Sequence, residues 1–427
     1  MKNPYILIVG CFDTKGEVFA YLRECIRRNG EQVVTMNTGV MGTTEAFPVD
    51  IEAEAVAQAA GTTLAALRQK QDRGQAVELM GQGAAIRVAE LVTRGGLKAA
   101  ISMGGGGGTY IALSAMQAIP LGVPKFCLST LAAKDLSRQI GHKDITLMPS
   151  VVDVAGLNSL IQPLIEQAAA AICAMSRVVP SEKADAAGSI AISMFGNTTA
   201  CADQCTALLK QQGYEVLAFH ANGVGGRTME ALIREHRFDA VLDITTTELA
   251  DELCGGVCNA GIDRLTAAAE TGIPQVVAPG CLDMVNFWQP DTVPERYQHR
   301  QLYSWAPSVT LMRTNAEENR ELGQQLARKL HGAHATVVLP LKGISQIDAE
   351  GGIFYNPEVN QVLFDSIKEN SDETTKVMEV NAHINNPLFA KVLVDELLNL
   401  LEGKEAQSDK GAKWESTGVQ KFFRNGE

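Results

Sequence analysis

The chain has 427 residues and a formal net charge of −12, with 46% hydrophobic and 20% charged residues. This composition is typical of a globular protein and excludes a disordered one, and the length favours two domains. The acidic balance argues against a general nucleic-acid binder, because the protein would repel the phosphate backbone. No stretch reaches the roughly 18 uncharged apolar residues of a membrane helix. We therefore expect a cytoplasmic protein whose partners include neither a membrane nor a nucleic acid.

The first half of the chain alternates strands with helices. The apolar run of residues 5–10 predicts a buried parallel strand, and an amphipathic helix follows that ends at Gly30. Further strands are predicted at residues 31–36, 97–103, 122–130 and 145–151. A segment with a helical pattern lies between Gly42 and Gly96, and we interpret it as an insertion.

The second half of the chain repeats this order. A strand at residues 189–194, a helix ending at Gly213 and a strand at residues 214–220 follow one another as they do at the N-terminus. The later segments 97–103, 122–130 and 145–151 match residues 238–244, 272–280 and 309–315. The predicted fold class is therefore α/β, with two Rossmann-like lobes that have parallel sheets and arose by internal duplication. The alternative is coincidence between ordinary α/β patterns.

The domain boundaries follow from the repeat. Residues 1–180 are predicted to form the first lobe, with a helical insertion at residues 42–96, and residues 188–401 the second. The joint is the polar segment 180–188, which contains Pro and Gly. A C-terminal α/β extension is predicted to have strands at 335–341 and 376–384 and helices at 358–369 and 387–401. The charged segment 402–427 is expected to be a loose tail.

A run of five glycines lies where a predicted strand leads into a predicted helix, and it consists of Gly104, Gly105, Gly106, Gly107 and Gly108. Ligands of open parallel sheets bind at the carboxyl ends of the strands. Glycines let backbone N–H groups approach a phosphate, and a helix beginning near Thr109 would direct its positive end towards it. Thr109 would cap that helix and offer its hydroxyl. The run is neither a P-loop nor a clean dinucleotide fingerprint, and a packing contact or a hinge is the alternative.

Polar residues follow the other strands of the first lobe and should converge on the same edge of the sheet, namely Asp13, Thr14, Lys15, Ser129, Thr130, Ser150 and Asp153. Lys15 would offset phosphate charge, which glycines cannot do. Asp13 or Asp153 could hold Mg²⁺ beside phosphate oxygens. Each of these residues could instead serve only as a surface cap of a helix.

The second lobe carries more reactive residue types. His220 and Arg227 lie close together after its second strand, and an arginine at a helix start suits a carboxylate or a phosphate. Glu248, Asp251 and Glu252 lie within one helical turn, so at least two should share a face and could bind metal or act as acid and base. The alternative is a solvated acidic helix N-terminus. His383, in a turn after the last strand, is typical of a structural hydrogen bonder.

The nine cysteines are scattered along the chain, as is typical of reduced thiols. Two pairs have members four residues apart, Cys201 with Cys205 and Cys254 with Cys258. Four thiolates could bind zinc. Both pairs, however, have helical spacing and lack the tight Cys-x-x-Cys turn, so we interpret them as ordinary helical cysteines.

Several phrases of the sequence together resemble a known protein family. They are DTKGE, GGGGGT, LST, DITLMPSVVDVAGLN, GYEVLAFHANGVGGRTMEALI, VLDITTTELADELCGG, GIPQVVAPGCLDMVNF, VTLMRT and NAHINNPLFA, and they extend from Ile6 to about Leu400. The family comprises the ATP-binding N-terminal domain of the tomato mosaic virus resistance protein with its bacterial and fungal relatives, and it is uncharacterised. The resemblance implies two Rossmann-like subdomains, a homodimer, and an ATP site at residues 13–15, 104–109 and 129–130. Two departures are an uninterrupted glycine run, where a serine is common, and Asn222 in place of Thr or Gly.

Three functional hypotheses follow. The first is an ATP-binding protein with Mg²⁺ whose second lobe adds a transfer or hydrolysis step on an unknown small substrate in the interdomain cleft, with His220, Arg227 and Glu248 as catalytic residues. The second is a non-catalytic dimeric module that ATP stabilises and that binds a protein or a small effector. The third is a dehydrogenase that uses a dinucleotide.

Overall fold

The computed structural model describes residues 4–179 and 186–419, with the side chains of residues 404–419 left aside. The chain divides into two compact units, residues 1–182 and residues 183–427, called unit 1 and unit 2 below. The division falls inside the predicted joint at residues 180–188, of which residues 180–185 lie outside the described part of the chain.

Unit 1 is built on a five-stranded parallel sheet in the order β2-β1-β3-β4-β5. Its strands are β1 (Tyr5–Gly10), β2 (Gln32–Asn37), β3 (Leu97–Gly104), β4 (Lys125–Ser129) and β5 (Ile145–Pro149). The strand β1 is buried from Ile6 to Gly10, since helices cover both faces of the sheet and its residues must be apolar throughout. All five strands match the prediction to within three residues at either end.

Helices cover the two faces of the unit 1 sheet. They are α1 (Phe12–Arg28), α2 (Ala53–Ala59), α3 (Leu64–Lys70), α4 (Arg73–Arg94), α5 (Gly106–Gln117), α6 (Ser137–Ile140) and α7 (Ile161–Met175). The helices α1 and α7 pack on one face, and α2, α4 and α5 pack on the other. The predicted insertion therefore supplies α2, α3 and α4, and it forms part of the core of unit 1.

Unit 2 has a six-stranded parallel sheet in the order β14-β13-β9-β8-β6-β7 and a three-stranded antiparallel sheet in the order β10-β12-β11. The strands are β6 (Ser189–Met194), β7 (Glu215–His220), β8 (Ala240–Thr245), β9 (Gln275–Gly280), β10 (Met284–Phe287), β11 (Leu302–Ala306), β12 (Val309–Arg313), β13 (Ala335–Pro340) and β14 (Lys376–Val380). The prediction of an α/β fold with parallel sheets in two Rossmann-like lobes is confirmed.

The strand orders of the two units agree over four strands. The order β2-β1-β3-β4 in unit 1 corresponds to β7-β6-β8-β9 in unit 2. The predicted match of residues 145–151 with residues 309–315 is wrong, because β12 pairs antiparallel with β10 and β11. The position next to β9, which β5 takes beside β4, belongs to β13. Similar apolar letters in the two segments conceal different sheets, since a short apolar run fits either setting.

The helices of unit 2 are α8 (Thr199–Gln211), α9 (Val224–Arg234), α10 (Thr247–Cys254), α11 (Ala267–Thr271), α12 (Ala316–Lys329), α13 (Pro357–Asn370) and α14 (Pro387–Val419). The helices α8 and α14 pack on one face of the large sheet. The helices α10, α12 and α13 pack on the other face. The helix α14 continues through most of the segment from residue 402 that was expected to be a loose tail, and residues 420–427 lie outside the described part of the chain.

Candidate functional site

The carboxyl ends of the unit 1 strands surround a cavity of about 800 Å³. Each of the five strands contributes to its lining through the segment that follows it. The lining residues are Asp13, Thr14 and Lys15 at the start of α1 after β1, residues 38–41 after β2, Gly105, Gly106, Gly107 and Gly108 at the start of α5 after β3, Thr130 after β4 and Asp153 after β5. This is the edge at which open parallel sheets bind their ligands.

Four of the residues expected at this site do not line the cavity, namely Gly104, Thr109, Ser129 and Ser150. Thr109 does not cap the helix, because α5 begins at Gly106 and Gly105 precedes it as the N-cap residue. The Thr109 hydroxyl lies 2.6 Å from the Ser129 hydroxyl and donates to the carbonyl of Gly104 at 3.3 Å. These buried contacts hold the start of α5 against the ends of β3 and β4, so Thr109 and Ser129 support the loop from behind.

The last three residues of the glycine run, Gly106, Gly107 and Gly108, form the first turn of α5. In an α-helix the first N–H groups have no partner within the helix, and the first bond into this turn comes from the N–H of Thr109 to the carbonyl of Gly105. The N–H groups of Gly106, Gly107 and Gly108 make no hydrogen bond with the residues that the structure describes. All three glycines line the cavity. The positive end of a 12-residue helix therefore borders the cavity with its donors free.

The start of α1, directly after β1, brings one cation and one carboxylate to the cavity. The Lys15 ammonium donates to the carbonyl of Val154, which leaves two of its three N–H donors for other acceptors. The Asp13 Oδ2 atom accepts the N–H of Met41 at 2.9 Å, whereas the buried Oδ1 atom has no partner among the described residues. A Cβ at Gly39 would overlap the Asp13 carboxyl group, so glycine at this position lets the carboxylate lie against the loop after β2.

Asp153 and Thr130 lie beside the glycine run at the end of the sheet formed by β4 and β5. The Asp153 Oδ1 and Thr130 Oγ1 atoms each lie 3.8 Å from the position of a Cβ at Gly105. Asp153 is exposed and makes no hydrogen bond with the described residues. Two residues earlier, Val151 has φ = 63°, which is a strained conformation for a β-branched residue. The loop after β5 thus keeps a strained turn next to the carboxylate that faces the glycines.

The opposite wall of the cavity comes from the helical segment that the sequence presents as an insertion. Its apolar residues are Leu67, Ala76, Val77 and Met80, and Met103 and Ile111 complete the apolar lining. The Val77 Cγ2 atom lies 3.2 Å from the position of a Cβ at Gly107, so α4 packs directly on the glycine run. Arg68 and Arg73 also line the cavity. The spacing of residues 73, 76, 77 and 80 places them on one face of α4, and this pattern was the signal available in the sequence.

Glu248, which the sequence predicts to be catalytic, is part of the buried scaffold of unit 2. Its side chain is fully buried. The Oε1 atom accepts the N–H groups of Gly223 at 2.6 Å and Gly226 at 3.1 Å, and the Oε2 atom accepts the Nε–H of Arg264 at 2.6 Å. A Cβ at Gly226 would overlap the Glu248 carboxylate. The N–H groups at the start of α9, which could otherwise bind an external anion, are therefore bound by a carboxylate of the same unit, because the Glu248 side chain points into the protein.

Arg264 is the centre of this buried network, and no pattern in the sequence indicates it. Its guanidinium is completely buried and pairs with the carboxylates of Asp243, Glu230 and Glu248. The Nη2 atom donates to Asp243 Oδ1 at 2.7 Å and the Nη1 atom to Glu230 Oε1 at 3.1 Å. Since buried charges require partners, the network holds α9, α10 and β8 together and offers no free group to a ligand.

The other predicted catalytic residues of unit 2 lie apart from this network. His220 is exposed at the end of β7, and its ring packs edge-on against Phe195 at a centroid distance of 5.2 Å. Arg227 is exposed and donates to the carbonyl of Asn259 at 2.7 Å. The ring of His383 is hydrogen-bonded through both nitrogens, to the carbonyl of Ser345 and the N–H of Asn385. The structural role expected for His383 is therefore confirmed.

Two further buried carboxylates of unit 2 have altered acidity. Burial raises the pKa of Asp251 to about 7, although hydrogen bonds from Asn286 and Cys258 act in the opposite direction. Burial also raises the pKa of Asp283 to about 7, and the neighbouring Asp348 carboxylate adds to this rise. Neither group lines the cavity of unit 1 or the two smaller cavities bordered by α8 and α10, so we relate their raised pKa values to stability.

Cys201 and Cys205 are helical residues, as the sequence indicates, whereas of the second pair only Cys254 lies in a helix, and Cys258 lies half-buried in the turn after α10. Cys201, Cys205 and Cys254 are buried, and the pKa of Cys254 is raised by burial to about 12, as is that of the less buried Cys258. Among the described residues no group of three or more His, Cys, Asp or Glu side chains is arranged to hold a metal ion. In the same part of the chain no helix has the length and apolar character needed to cross a bilayer.

The fold and this geometry define a class of protein: a two-unit α/β protein with Rossmann-like parallel sheets and an open cavity at the carboxyl edge of its first sheet. The chain matches the N-terminal domain of the uncharacterised protein family UPF0261 over residues 4–181 and the C-terminal domain of that family over residues 188–401. It therefore belongs to the UPF0261 family. Unit 1 and unit 2 correspond to the two domains of the family.

Relatives of the chain occur in bacteria and in tomato. A UPF0261 protein of Clostridium tetani is 44% identical over 94% of this chain and 100% of its own length. The ToMV resistance protein Tm-1(GCR237) of Solanum lycopersicum is 33% identical over 93% of this chain and 56% of its own length. The solved glycosyltransferase SnogD of Streptomyces nogalater is 12% identical over 92% of this chain and 99% of its own, with a TM-score of 0.22. That last likeness carries no argument about fold or activity.

Proposed function

We propose that this protein binds ATP in the cavity of unit 1, with the phosphates on the glycine run and Mg²⁺ beside them. The observation that carries the proposal is the first turn of α5, where the N–H groups of Gly106, Gly107 and Gly108 border the cavity without a partner in the described chain. Such donors at a helix start suit an anion. Lys15 adds a positive charge at the same cavity.

The apolar wall supports a nucleotide over a free phosphate. Val77 touches the glycine run, and Met80 and Leu67 continue the apolar surface away from it. A phosphate held at the glycines would thus have an apolar surface beside it, and a nucleobase buries its flat faces on such a surface. A dinucleotide is the competing ligand, and the binding experiment below includes it.

A divalent cation fits the charges of the cavity. The cationic lining residues are Lys15, Arg68 and Arg73, and the acidic ones are Asp13, Asp72 and Asp153. These formal charges cancel, so the side chains alone supply no excess positive charge for a triphosphate. The buried Oδ1 atom of Asp13 lacks a partner in the described chain. A carboxylate oxygen beside phosphates is a suitable Mg²⁺ ligand, directly or through water.

We propose that the protein binds ATP and does not itself catalyse a reaction of it. The Glu248 carboxylate is buried and fully hydrogen-bonded, and this favours the second hypothesis, a module that ATP stabilises, over catalysis by unit 2. A homodimer belongs to the same proposal. Sedimentation of the full chain with and without ATP tests it, and a monomer under both conditions would refute that part.

The test is a melting-temperature series with the full chain in ATP, ADP, NAD⁺ or inorganic phosphate, each with and without Mg²⁺. A ligand that binds only the folded state raises the melting temperature with its concentration. We expect the largest rise with ATP and Mg²⁺. A larger rise with NAD⁺ would favour the dehydrogenase hypothesis, and no rise with any nucleotide would refute nucleotide binding.

A pair of glycine substitutions locates the binding event. A Cβ at Gly106 meets no atom within 4 Å, so Gly106→Val should fold while its methyl groups cover the free N–H donors. Gly42→Val is the matched control, since Gly42 also has open space but does not line the cavity. We expect the nucleotide response to disappear in the first variant and to persist in the second. An unchanged response in a folded Gly106→Val variant would remove the glycine run from the site.

A further inference from the structure

The cavity of unit 1 has a second group of cationic donors, which lies on the helical wall and not on the glycine run. Arg68 belongs to the last turn of α3, and Arg73 is the first residue of α4. Both line the cavity and both are exposed. The turn between the helices places Gln71 at φ = 53°, and Asp72 caps α4 by accepting the N–H of Gln75 at 3.0 Å.

The hydrogen bonds of these arginines leave their terminal nitrogens available. The Nε–H of Arg68 donates to the carbonyl of Val40 at 2.6 Å, which anchors the side chain beside the loop after β2. The two Nη atoms of Arg68 form no hydrogen bond within the described chain, and in that part of the molecule Arg73 has neither a hydrogen bond nor an ion pair. Free guanidinium forks match the paired oxygens of a phosphate.

The geometry of α4 places Arg73 one turn from the glycine run. Val77, which touches Gly107, follows Arg73 by four residues, so the two side chains share a face of the helix. Four residues correspond to about 6 Å along a helix axis. A phosphate chain that begins at the free N–H groups of the glycine run and extends along α4 therefore approaches Arg73.

We propose that Arg68 and Arg73 bind the terminal phosphates of the nucleotide and make the site selective for a nucleoside triphosphate over the monophosphate. This inference rests on the proposed function, because it assigns the glycine run to the phosphate nearer the nucleoside. It gives the helical segment a recognition role: the segment supplies the apolar wall for the base and the cationic fork for the distal phosphates.

The test measures the affinities of ATP, AMP and inorganic tripolyphosphate for the full chain by calorimetry in Mg²⁺. Arg68→Gln and Arg73→Gln each remove one fork while keeping a polar side chain. Each variant removes a charge-assisted hydrogen bond to a distal phosphate, so we expect it to lose about tenfold or more in affinity for ATP and tripolyphosphate. The affinity for AMP should change less than about twofold, because AMP has no distal phosphate.

The control variant is Arg94→Gln, at the far end of the same helix, where the side chain pairs with Glu90 and does not line the cavity. It should bind all three ligands as the wild type does, and unliganded melting temperatures should agree among the variants because the three arginines are exposed. Equal losses for ATP and AMP, or no loss in either cavity variant, would overturn the inference while nucleotide binding by the wild type stands. Failure of the wild type to bind any nucleotide would overturn the proposed function as well.

Discussion

Unit 1 and unit 2 share the strand order β2-β1-β3-β4 and β7-β6-β8-β9, yet they use the carboxyl edge of the sheet differently. In unit 1 the helix after the third of these four strands begins with Gly106, and its second residue is Gly107. In unit 2 the corresponding helix begins with Thr247, and its second residue is Glu248. The glycines leave an open cavity in unit 1, whereas the Glu248 side chain turns inward and binds the N–H groups of the neighbouring loop in unit 2.

Glu248 accepts N–H groups at the start of α9 and not of its own helix, so the contrast is between the start of α9, which a carboxylate of the same unit closes, and the start of α5, which is open. Helix-start N–H groups must find an acceptor, in the protein or outside it. Unit 2 supplies its own carboxylate and compensates the buried charge with Arg264. Unit 1 supplies none, so its donors remain available to an external anion. The predictions below test this contrast in order of decreasing effect.

The largest expected effect is in Arg264→Met. The substitution leaves the carboxylates of Asp243, Glu230 and Glu248 buried without their cation, and breaking a buried ion network in this way costs about 3–5 kcal/mol. Urea unfolding followed by tryptophan fluorescence measures it, since all three tryptophans belong to unit 2.

The control for this substitution is Arg234→Met, which removes an arginine that pairs with Glu270 on the surface. Exposed pairs contribute about 0–1 kcal/mol, so this variant should remain close to the wild type. Similar losses of unfolding free energy in the two variants would show that burial does not determine how much the Arg264 network contributes to stability.

The second effect concerns pH. The pKa of Asp251 is raised by burial to about 7 in the folded state, above an unfolded value of about 3.9. The native state therefore keeps a proton that the unfolded state has released, and the free energy of unfolding should fall as pH rises between about 4 and 7. From pH 5 to pH 8 the ionisation of Asp251 should lower the free energy of unfolding by about 2–3 kcal/mol.

Asp251→Asn should reduce this pH dependence, because the amide cannot ionise. Asn286 has an unpartnered Oδ1 atom that can accept the new N–H after its amide turns over. Urea unfolding monitored by the tryptophans of unit 2 at pH 5 and pH 8 measures how the free energy of unfolding changes with pH. Asp283 still contributes to this change in the variant, because its pKa is also raised. An unaltered slope in the variant would show that Asp251 is already charged in the folded protein.

The third effect is steric. Gly226→Ala places a Cβ on the Glu248 carboxylate and displaces the bonds that the carboxylate makes. Overpacking of a buried site costs about 1–3 kcal/mol, and we expect a loss of about 2 kcal/mol in urea unfolding monitored by tryptophan fluorescence. A stable variant would mean that the loop before α9 can move away from Glu248.

The smallest effect is expected from Gly106→Ala in unit 1. Its Cβ meets open space, and alanine in place of glycine near a helix start should stabilise by about 0.4–1 kcal/mol. The melting temperature should rise slightly, in contrast to Gly226→Ala. A clear fall would show that the glycine run is needed for the fold of unit 1 as well as for an open cavity.

The pattern of the sequence predicted most of the strands. The run that forms β1 is apolar throughout and the runs that form β3 and β8 are mostly apolar. Their alternation with amphipathic helices allows few arrangements other than parallel sheets. The pattern failed where a short run fits more than one sheet. The run that forms β12 was assigned to the large sheet and instead pairs antiparallel in the small one, because a five-residue strand carries no information about its neighbours.

The site was predicted in part. Asp13, Lys15 and Gly106 line the cavity as neighbours of strand ends, which a sequence reveals because such residues follow apolar runs directly. Arg73 was missed, because it lies in a helical segment far from any strand and reaches the cavity only through the packing of α4. The burial of Glu248 was not predicted, because the sequence does not show whether an acidic side chain points to solvent or into the core.

The sequence by itself determined the alternation of strands and helices, the division into two lobes and the position of the glycine run, because hydrophobic period and backbone permissiveness are local properties. Only the tertiary structure decided which helix starts stay open, which carboxylates are buried with Arg264 and which helix forms the second wall of the cavity. These outcomes depend on distances between residues that are remote in the chain, and such distances are fixed by packing.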